Sequence, residues 1–195
     1  MTVEHEAPAR RGDRTRAAIL AAARDRFAAD GYAKATIRAI ATQAGIDPSM
    51  VIRYFGSKEK LLAAAADFDL ELPDLSGVPL PQWGARIARH VVWRWEQDDM
   101  LVALLRVAAT HDAAAARGRE ILANQVEPLV AAVEPDPALV RLRAGLIASQ
   151  ILGLTLARYI MRLPPVGGLT IDDVEVWVGP VLQHYLTGQP GQLVT

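Results

Sequence analysis

The stretch AGIDPSMVIRYFGSKEKL, residues 44–61, sets two glycines and a proline around barely two turns of helix. Asp47 can cap that helix, Pro48 takes the first position where its missing N–H costs nothing, and Gly56 stops it after Phe55. Gly45 closes the element before it, for which Thr36 offers the cap and Ile37, Ile40, Ala41 and Ala44 an apolar side. Two short helices joined through Ala-Gly-Ile-Asp spell a helix-turn-helix, in which the first braces the second against a duplex. The second helix need be no longer, because a major groove about 12 Å wide admits only a few reading side chains.

Working outward, Ile19, Ala23 and Phe27 recur every four residues and predict a helix over 13–30, with Gly31 as its stop. Ser57 caps a fourth helix that the pattern carries to Pro73, and 73–81, PDLSGVPLP, is the clearest linker. Helical blocks follow over 82–97, 98–110, 112–133, 137–163 and 170–186, punctuated by EPDP and LPPVGG. No convincing alternating strand or internal repeat intervenes. The chain reads as all-α with about nine helices: an N-terminal three-helix helix-turn-helix domain and a larger C-terminal helical domain. The expected division is a disordered basic arm at 1–12, a DNA-binding domain at 13–60, a sensing and dimerisation domain at 61–187 and a flexible tail at 188–195.

Charge is unevenly spread along the 195 residues. Residues 8–60 hold eleven Lys and Arg against five Asp and Glu, a net +6, while 61–195 hold ten against fifteen, a net −5. A basic front half suits a polyanionic partner. The chain has no cysteine, which excludes disulfides, thiolate metal sites and cysteine nucleophiles, and its four histidines lack ligand spacing. No metal or cofactor is expected. The polar start MTVEHEAPARRGDR is unlike a cleaved signal. The uncharged run between Arg143 and Arg158 falls short of the roughly 20 residues of a bilayer span, so a cytoplasmic protein without a membrane partner is expected.

Lys58 adds a separate hint. It places a cation at the positive end of a helix, unfavourable by about 0.3–1 kcal/mol unless compensated. A phosphate held by the free N–H groups, the Ser57 hydroxyl and Lys58 would reverse that sign. A solvated lysine offset by Glu59 is the plainer reading.

The sequence TRAAILAAARDRFAADGYAKATIRAIATQAGIDPSMVIRYFGSKEKLL, residues 15–62, resembles the DNA-binding domain of the tetracycline-repressor (TetR) family of bacterial transcriptional regulators. The shared pieces are I-x-x-A-A-x-x-x-F-x-x-x-G-Y, T-I-R-x-I-A-x-x-A-G-I and Y-F-x-S-K-E-x-L-L, in that order and spacing. The resemblance implies that Thr36, Tyr54 and Lys58 contact phosphates. It also implies that Arg38, Pro48, Ser49, Met50 and Arg53 approach bases, and that Val51 and Phe55 are buried. Arginine can pair with guanine O6 and N7, and Met or Pro can press on a thymine methyl. Phosphate contact remains the other reading for Arg38 and Arg53, and a core position the other reading for Tyr54. Ile52 stands where the family usually has tyrosine.

The family's members are typically homodimeric repressors that release a palindromic double-stranded DNA operator when a small molecule binds. Gly145, Ser149, Gly153 and Ala157 recur every four residues and offer a close-packing stripe, either for a dimer or within one subunit. The candidate ligand residues are Trp93, Arg106, His111 and Tyr159, with Trp83, His90, Arg94 and Trp95 as further aromatic walls and polar handles. Two rival readings are a helical protein-interaction module and a DNA-processing enzyme. The acidic pairs Asp98-Asp99 and Asp172-Asp173 fall at expected helix starts, which favours neither nuclease nor recombinase chemistry.

Overall fold

The computed structural model describes residues 8–65, 69–97 and 99–191. Among them there is no strand. The helices are α1 (Pro8–Lys34), α2 (Ile37–Ala44), α3 (Pro48–Phe55), α4 (Lys58–Ala65), α5 (Trp83–Gln97), α6 (Asp99–Ala108), α7 (Asp112–Ile121), α8 (Glu127–Ala131), α9 (Pro137–Thr155), α10 (Pro164–Gly167) and α11 (Ile171–Thr187). Helix α7 runs into α8 through a π-turn at Leu122–Val126, and α9 is prolonged by another at Leu156–Ile160. Every expected helix has its counterpart. The single-turn α10 is the addition.

Both ends of the first helix and the end of the fourth differ from the sequence reading. Helix α1 begins at Pro8 rather than at residue 13, because nothing between them breaks a helix: proline suits the first turn and Gly12 costs only about 1 kcal/mol. The expected arm is therefore helical from Pro8, while residues 1–7 and the side chains of Arg10 and Arg11 lie outside the described residues, as do 192–195 of the expected tail. At the other end of α1, Gly31 does break the helix, at φ 70 and ψ 163, but one further turn follows to Lys34.

The helix expected to reach Pro73 has given way to irregular chain by Asp69, with Glu71 at a φ of 48. Side chains of the larger half take up its backbone groups. Leu70 N–H donates to Gln125 Oε1 at 2.7 Å, His90 Nε2 lies 2.9 Å from Leu70 O, and Arg94 Nη2 donates to Asp69 O at 3.0 Å. These bonds satisfy polar groups that an unfinished helix end would leave open. The linker beyond is packed, with Leu75 buried and Trp83 Nε1 donating to Val78 O.

Helices α1, α2 and α4 bury Ile19, Phe27, Ile40, Leu61 and Leu62 completely or nearly so. Each such side chain stabilises by about 1.5–3 kcal/mol. In the larger half α5 and α11 run in contact, with α9 on α11 and α8 on α9, while α1 and α4 reach α6 and α7. The α5–α11 approach is backbone to backbone. A Cβ at Gly84 would stand 2.3 Å from Gly179 O, one at Gly179 would stand 2.9 Å from Ala85 Cα, and Gln183 Oε1 accepts the Gly84 N–H at 2.9 Å.

Helix α9 with its π-turn, Pro137–Ile160, is long and apolar enough by composition to cross a bilayer, although only 28% of its most apolar window is buried. The uncharged run itself, between Arg143 and Arg158, stays shorter than a span, and a single such helix is not a clear membrane span. Both arginines are bound within the protein: Arg143 to Tyr185 O and Gly188 O, Arg158 to Glu96. They tie the helix to α11 and α5 and leave its apolar side facing out.

Replacing Gly84 by alanine should lower stability by about 1–3 kcal/mol, because only backbone movement can make room. Urea unfolding of Gly84→Ala measures it. A change within a few tenths would contradict the tight crossing.

Candidate nucleic-acid interface

Thr36 caps α2 by accepting the Ala39 N–H at 3.1 Å, and Gly45 ends it at φ 68, where Ile46 N–H returns to Ala41 O. Asp47 then accepts both the N–H of Ser49, at 2.8 Å, and its hydroxyl, at 2.5 Å. These two bonds hold the Asp47 carboxyl below its ordinary pKa. Helix α3 seats Val51 and Phe55 in the core and turns Ser49, Ile52 and Arg53 outward, with Pro48 and Met50 half-buried. Arg38 is exposed on α2. The Arg16 guanidinium lies over the Phe55 ring, 5.4 Å from its centroid, and Gln43 bonds Asp25 at 2.8 Å, so α1 braces both short helices.

The structure groups the expected contact residues on the α2–α3–α4 side, with two qualifications. The Ser49 hydroxyl already donates to its own cap, leaving its acceptor lone pairs outward. Lys58 is half-buried, with Nζ 4.3 Å from the Tyr32 ring centroid, and burial lowers its pKa. Ser57 caps α4 by accepting the Lys60 N–H at 3.2 Å. Tyr54 is half-buried against Phe55, and a Cβ at Gly12 would stand 3.6 Å from its hydroxyl.

Three of the four candidate ligand residues come together. Arg106, His111 and Tyr159 share one cleft, whereas Trp93 is 44% exposed, packs against His90 and faces elsewhere. The sequence offered Trp93 as an aromatic wall. Trp95, two residues on, is the one that reaches the cleft, since a helix turns about 200° in two residues. His111 makes no capping bond to α7. Its Nδ1 lies 2.8 Å from Thr110 Oγ1 and its Nε2 3.8 Å from Glu59.

The close-packing stripe is open to solvent. Ser149 and Gly153 are exposed, Gly145 and Ala157 half-buried, and nothing lies within 4 Å of a Cβ built on either glycine. Leu142, Leu146, Leu152 and Leu156 flank it on α9 and its π-turn, and Val176 and Trp177, 67% and 72% exposed, stand out from α11. The two glycines of the stripe thus pack against no described residue of their own chain.

Comparison with known families agrees with this geometry. Residues 82–186 match the profile described as "Tetracyclin repressor-like, C-terminal domain", and residues 19–65 match "Bacterial regulatory proteins, tetR family". The chain belongs to the TetR family. It is thus a transcriptional regulator with a DNA-binding helix-turn-helix. Among solved structures, a TetR-family regulator from Streptomyces coelicolor A3 is 28% identical, with 89% of this chain and 95% of that one covered at a TM-score of 0.51. Two others share the fold. A TetR-family regulator from Rhodococcus sp. is 14% identical over 90% and 100% at a TM-score of 0.62, and the fatty acid degradation regulator FadR from Bacillus halodurans is 18% identical over 97% and 100% at 0.56. No curated protein matches the chain significantly.

One group went unseen in the TetR-like sequence pattern. The Tyr32 hydroxyl donates to Glu59 Oε1 at 2.5 Å, joining the kink of α1 to the first turn of α4 across 27 residues. Burial, reinforced by Glu59, pushes the Tyr32 phenol up to about 12, and the bond from Tyr32 leads several that hold the Glu59 carboxyl down at about 2. A depressed carboxylate contributes stability above its ordinary pKa of 4.5 and loses that contribution as the pH falls toward 2. Glu59→Gln should therefore flatten the acid limb of a urea-stability profile between about pH 5 and pH 2. A limb as steep as that of the unmodified chain would contradict the assignment.

Proposed function

We propose that this TetR-family chain is a repressor that binds a palindromic operator as a homodimer, acts in the cytoplasm, carries out no catalysis, and releases DNA when a small molecule binds. The observation that carries the DNA-binding part is the two-sidedness of α3: Val51 and Phe55 hold it down while Ser49, Ile52 and Arg53 look out. In this reading Arg53 and Arg38 read base edges, with Pro48, Ser49 and Met50 beside them. Thr36, Tyr54, Ser57 and Lys58 hold phosphates, and Lys58 leaves the Tyr32 ring to do so. Ile52 has no hydroxyl and can press only on apolar base groups such as a thymine methyl.

The pairing surface is the outer side of α9 and α11. An exposed glycine stripe lets a second helix come close, and the surrounding leucines with Trp177 form an apolar patch of the kind that marks an interface. A two-fold pair of readers suits a palindrome and multiplies the affinity of one short helix. Release by a small molecule is supported by the cleft of about 810 Å³ that gathers Arg106, His111 and Tyr159, within the usual volume range of ligand sites.

On a duplex selected from random DNA by the chain itself, Arg53→Ala should cost about 1–3 kcal/mol and relax preference at one position of each half-site. Lys58→Ala should weaken all duplexes alike and lower the salt slope by about one. Fluorescence anisotropy on matched and mismatched duplexes separates the two, and unchanged sequence preference in Arg53→Ala would sink the base-reading role.

Charging the apolar face should split the dimer. Leu142→Glu with Gly153→Arg should move the sedimenting mass from about twice the 21.1 kDa of the chain to that single value. An intact dimer in the double variant would place the interface elsewhere.

A further inference from the structure

The cleft that gathers Arg106, His111 and Tyr159 takes its walls from both halves of the chain: Tyr32 and Lys34 from α1, Trp95 from α5, and Arg162 from the turn after α9. Three departures from regular helix border it. Gly31 breaks α1 immediately before Tyr32, the π-turn at Leu156–Ile160 carries Tyr159, and Arg162 holds a φ of 52 although it is not glycine. π-Turns and left-handed non-glycine residues are costly and gather where a binding site needs a side chain placed off the regular path.

The charge balance of the cleft is one-sided. Its two carboxylates are already engaged by arginines that do not line it, Asp30 by Arg26 at 3.4 Å and Glu96 by Arg158 at 3.1 Å. Lys34, Arg106 and Arg162, by contrast, make no ion pair among the described residues. Burial raises the phenol pKa of both Tyr32 and Tyr159, so neither becomes a phenolate that would offset these cations. The apolar wall is aromatic. Trp95 and Tyr159 lie with planes 5° apart and centroids 6.2 Å apart, and Tyr32 meets His111 edge-on at 6.3 Å. The enclosed pocket nearby, between Leu70, Ile87 and Ile151, holds only about 50 Å³, too little for an organic ligand.

We propose that this interdomain cleft binds a planar aromatic carboxylate, its ring against the Trp95–Tyr159 wall and its charge toward Arg106 and Arg162, and that occupancy loosens DNA through Tyr32. Guanidinium and carboxylate pair with complementary forks, and flat rings prefer offset or edge contact with aromatic walls. Tyr32 is the link because it bonds Glu59 and lies under Lys58, both in the first turn of α4. A ligand that displaces Tyr32 acts directly on the turn assigned to phosphate. Only differential affinity for the free and DNA-bound forms can shift the balance. This coupling rests on the DNA-binding reading above, whereas the site itself does not.

Calorimetric titration of the full chain with 2-naphthoate tests the site, with 2-naphthamide as uncharged analogue and octanoate as non-aromatic anion. One saturable site is expected, at least tenfold tighter for 2-naphthoate than for either comparison. Arg106→Gln with Arg162→Gln, both exposed positions, should weaken it at least tenfold with the thermal melt preserved. No binding, equal binding of octanoate, or full binding by the double variant would overturn the proposal. In parallel, 2-naphthoate should weaken the grip on the selected duplex at least tenfold in the unmodified chain and at most twofold in Tyr32→Phe. Naphthoate bound with duplex affinity unchanged would overturn the coupling alone. A chain that binds naphthoate but selects no duplex would overturn the DNA-binding reading and leave the site standing.

Discussion

An eight-residue helix has no stability of its own, and the placement of α3 rests on that constraint. Two turns offer too few hydrogen bonds to offset the cost of nucleation, so the reader exists only where tertiary contacts hold it. Val51 and Phe55 supply the burial, Arg16 lies over the Phe55 ring from α1, and Asp47 and Gly56 close the ends. Of the outward residues, Ser49 is tied to the Asp47 cap, while Ile52 and Arg53 take no part in the burial that holds the helix. In the proposed reading, Ile52 and Arg53 can vary with the DNA, while the burial of Val51 and Phe55 constrains their replacement.

This division of labour explains what could be read from the sequence. The caps at Thr36 and Asp47, the glycine stops and the apolar spacing are local signals, each complete within four residues, and they placed α2 and α3 to the residue. The features that stayed hidden depend on partners far along the chain. Nothing near Asp69 announces that Arg94, His90 and Gln125 will take up the backbone of 69–70 and end the expected helix early. Likewise Tyr32 and Glu59 stand 27 residues apart, and only the fold brings them into one bond. Trp93 and Trp95 look alike in composition, and only the packing of α5 sets Trp95 in the cleft wall and leaves Trp93 exposed.

The two long helices at the end of the chain are each packed on one side and open on the other. The glycine contact between α5 and α11 draws those helices together, and it leaves Val176 and Trp177 on the far side of α11 beside the leucines of α9. In the proposed dimer, an apolar helix of membrane-spanning length, with Arg143 and Arg158 bound internally, would find its cover on a second copy of the chain. At the opposite end of the same helix, the π-turn and Arg162 shape the cleft that meets α1. The proposed pairing surface, the cleft and α3 are therefore joined by continuous packing.

The central claim is that the outward side of α3, doubled by pairing, reads a symmetric DNA sequence. Sequencing the duplexes that the purified chain retains from a random pool tests it most directly. The account predicts enrichment of a two-fold symmetric sequence whose half-site centres lie one helical turn, about 34–36 Å, or a multiple of it apart. A retained pool without sequence enrichment, or one carrying a single asymmetric half-site, would contradict it.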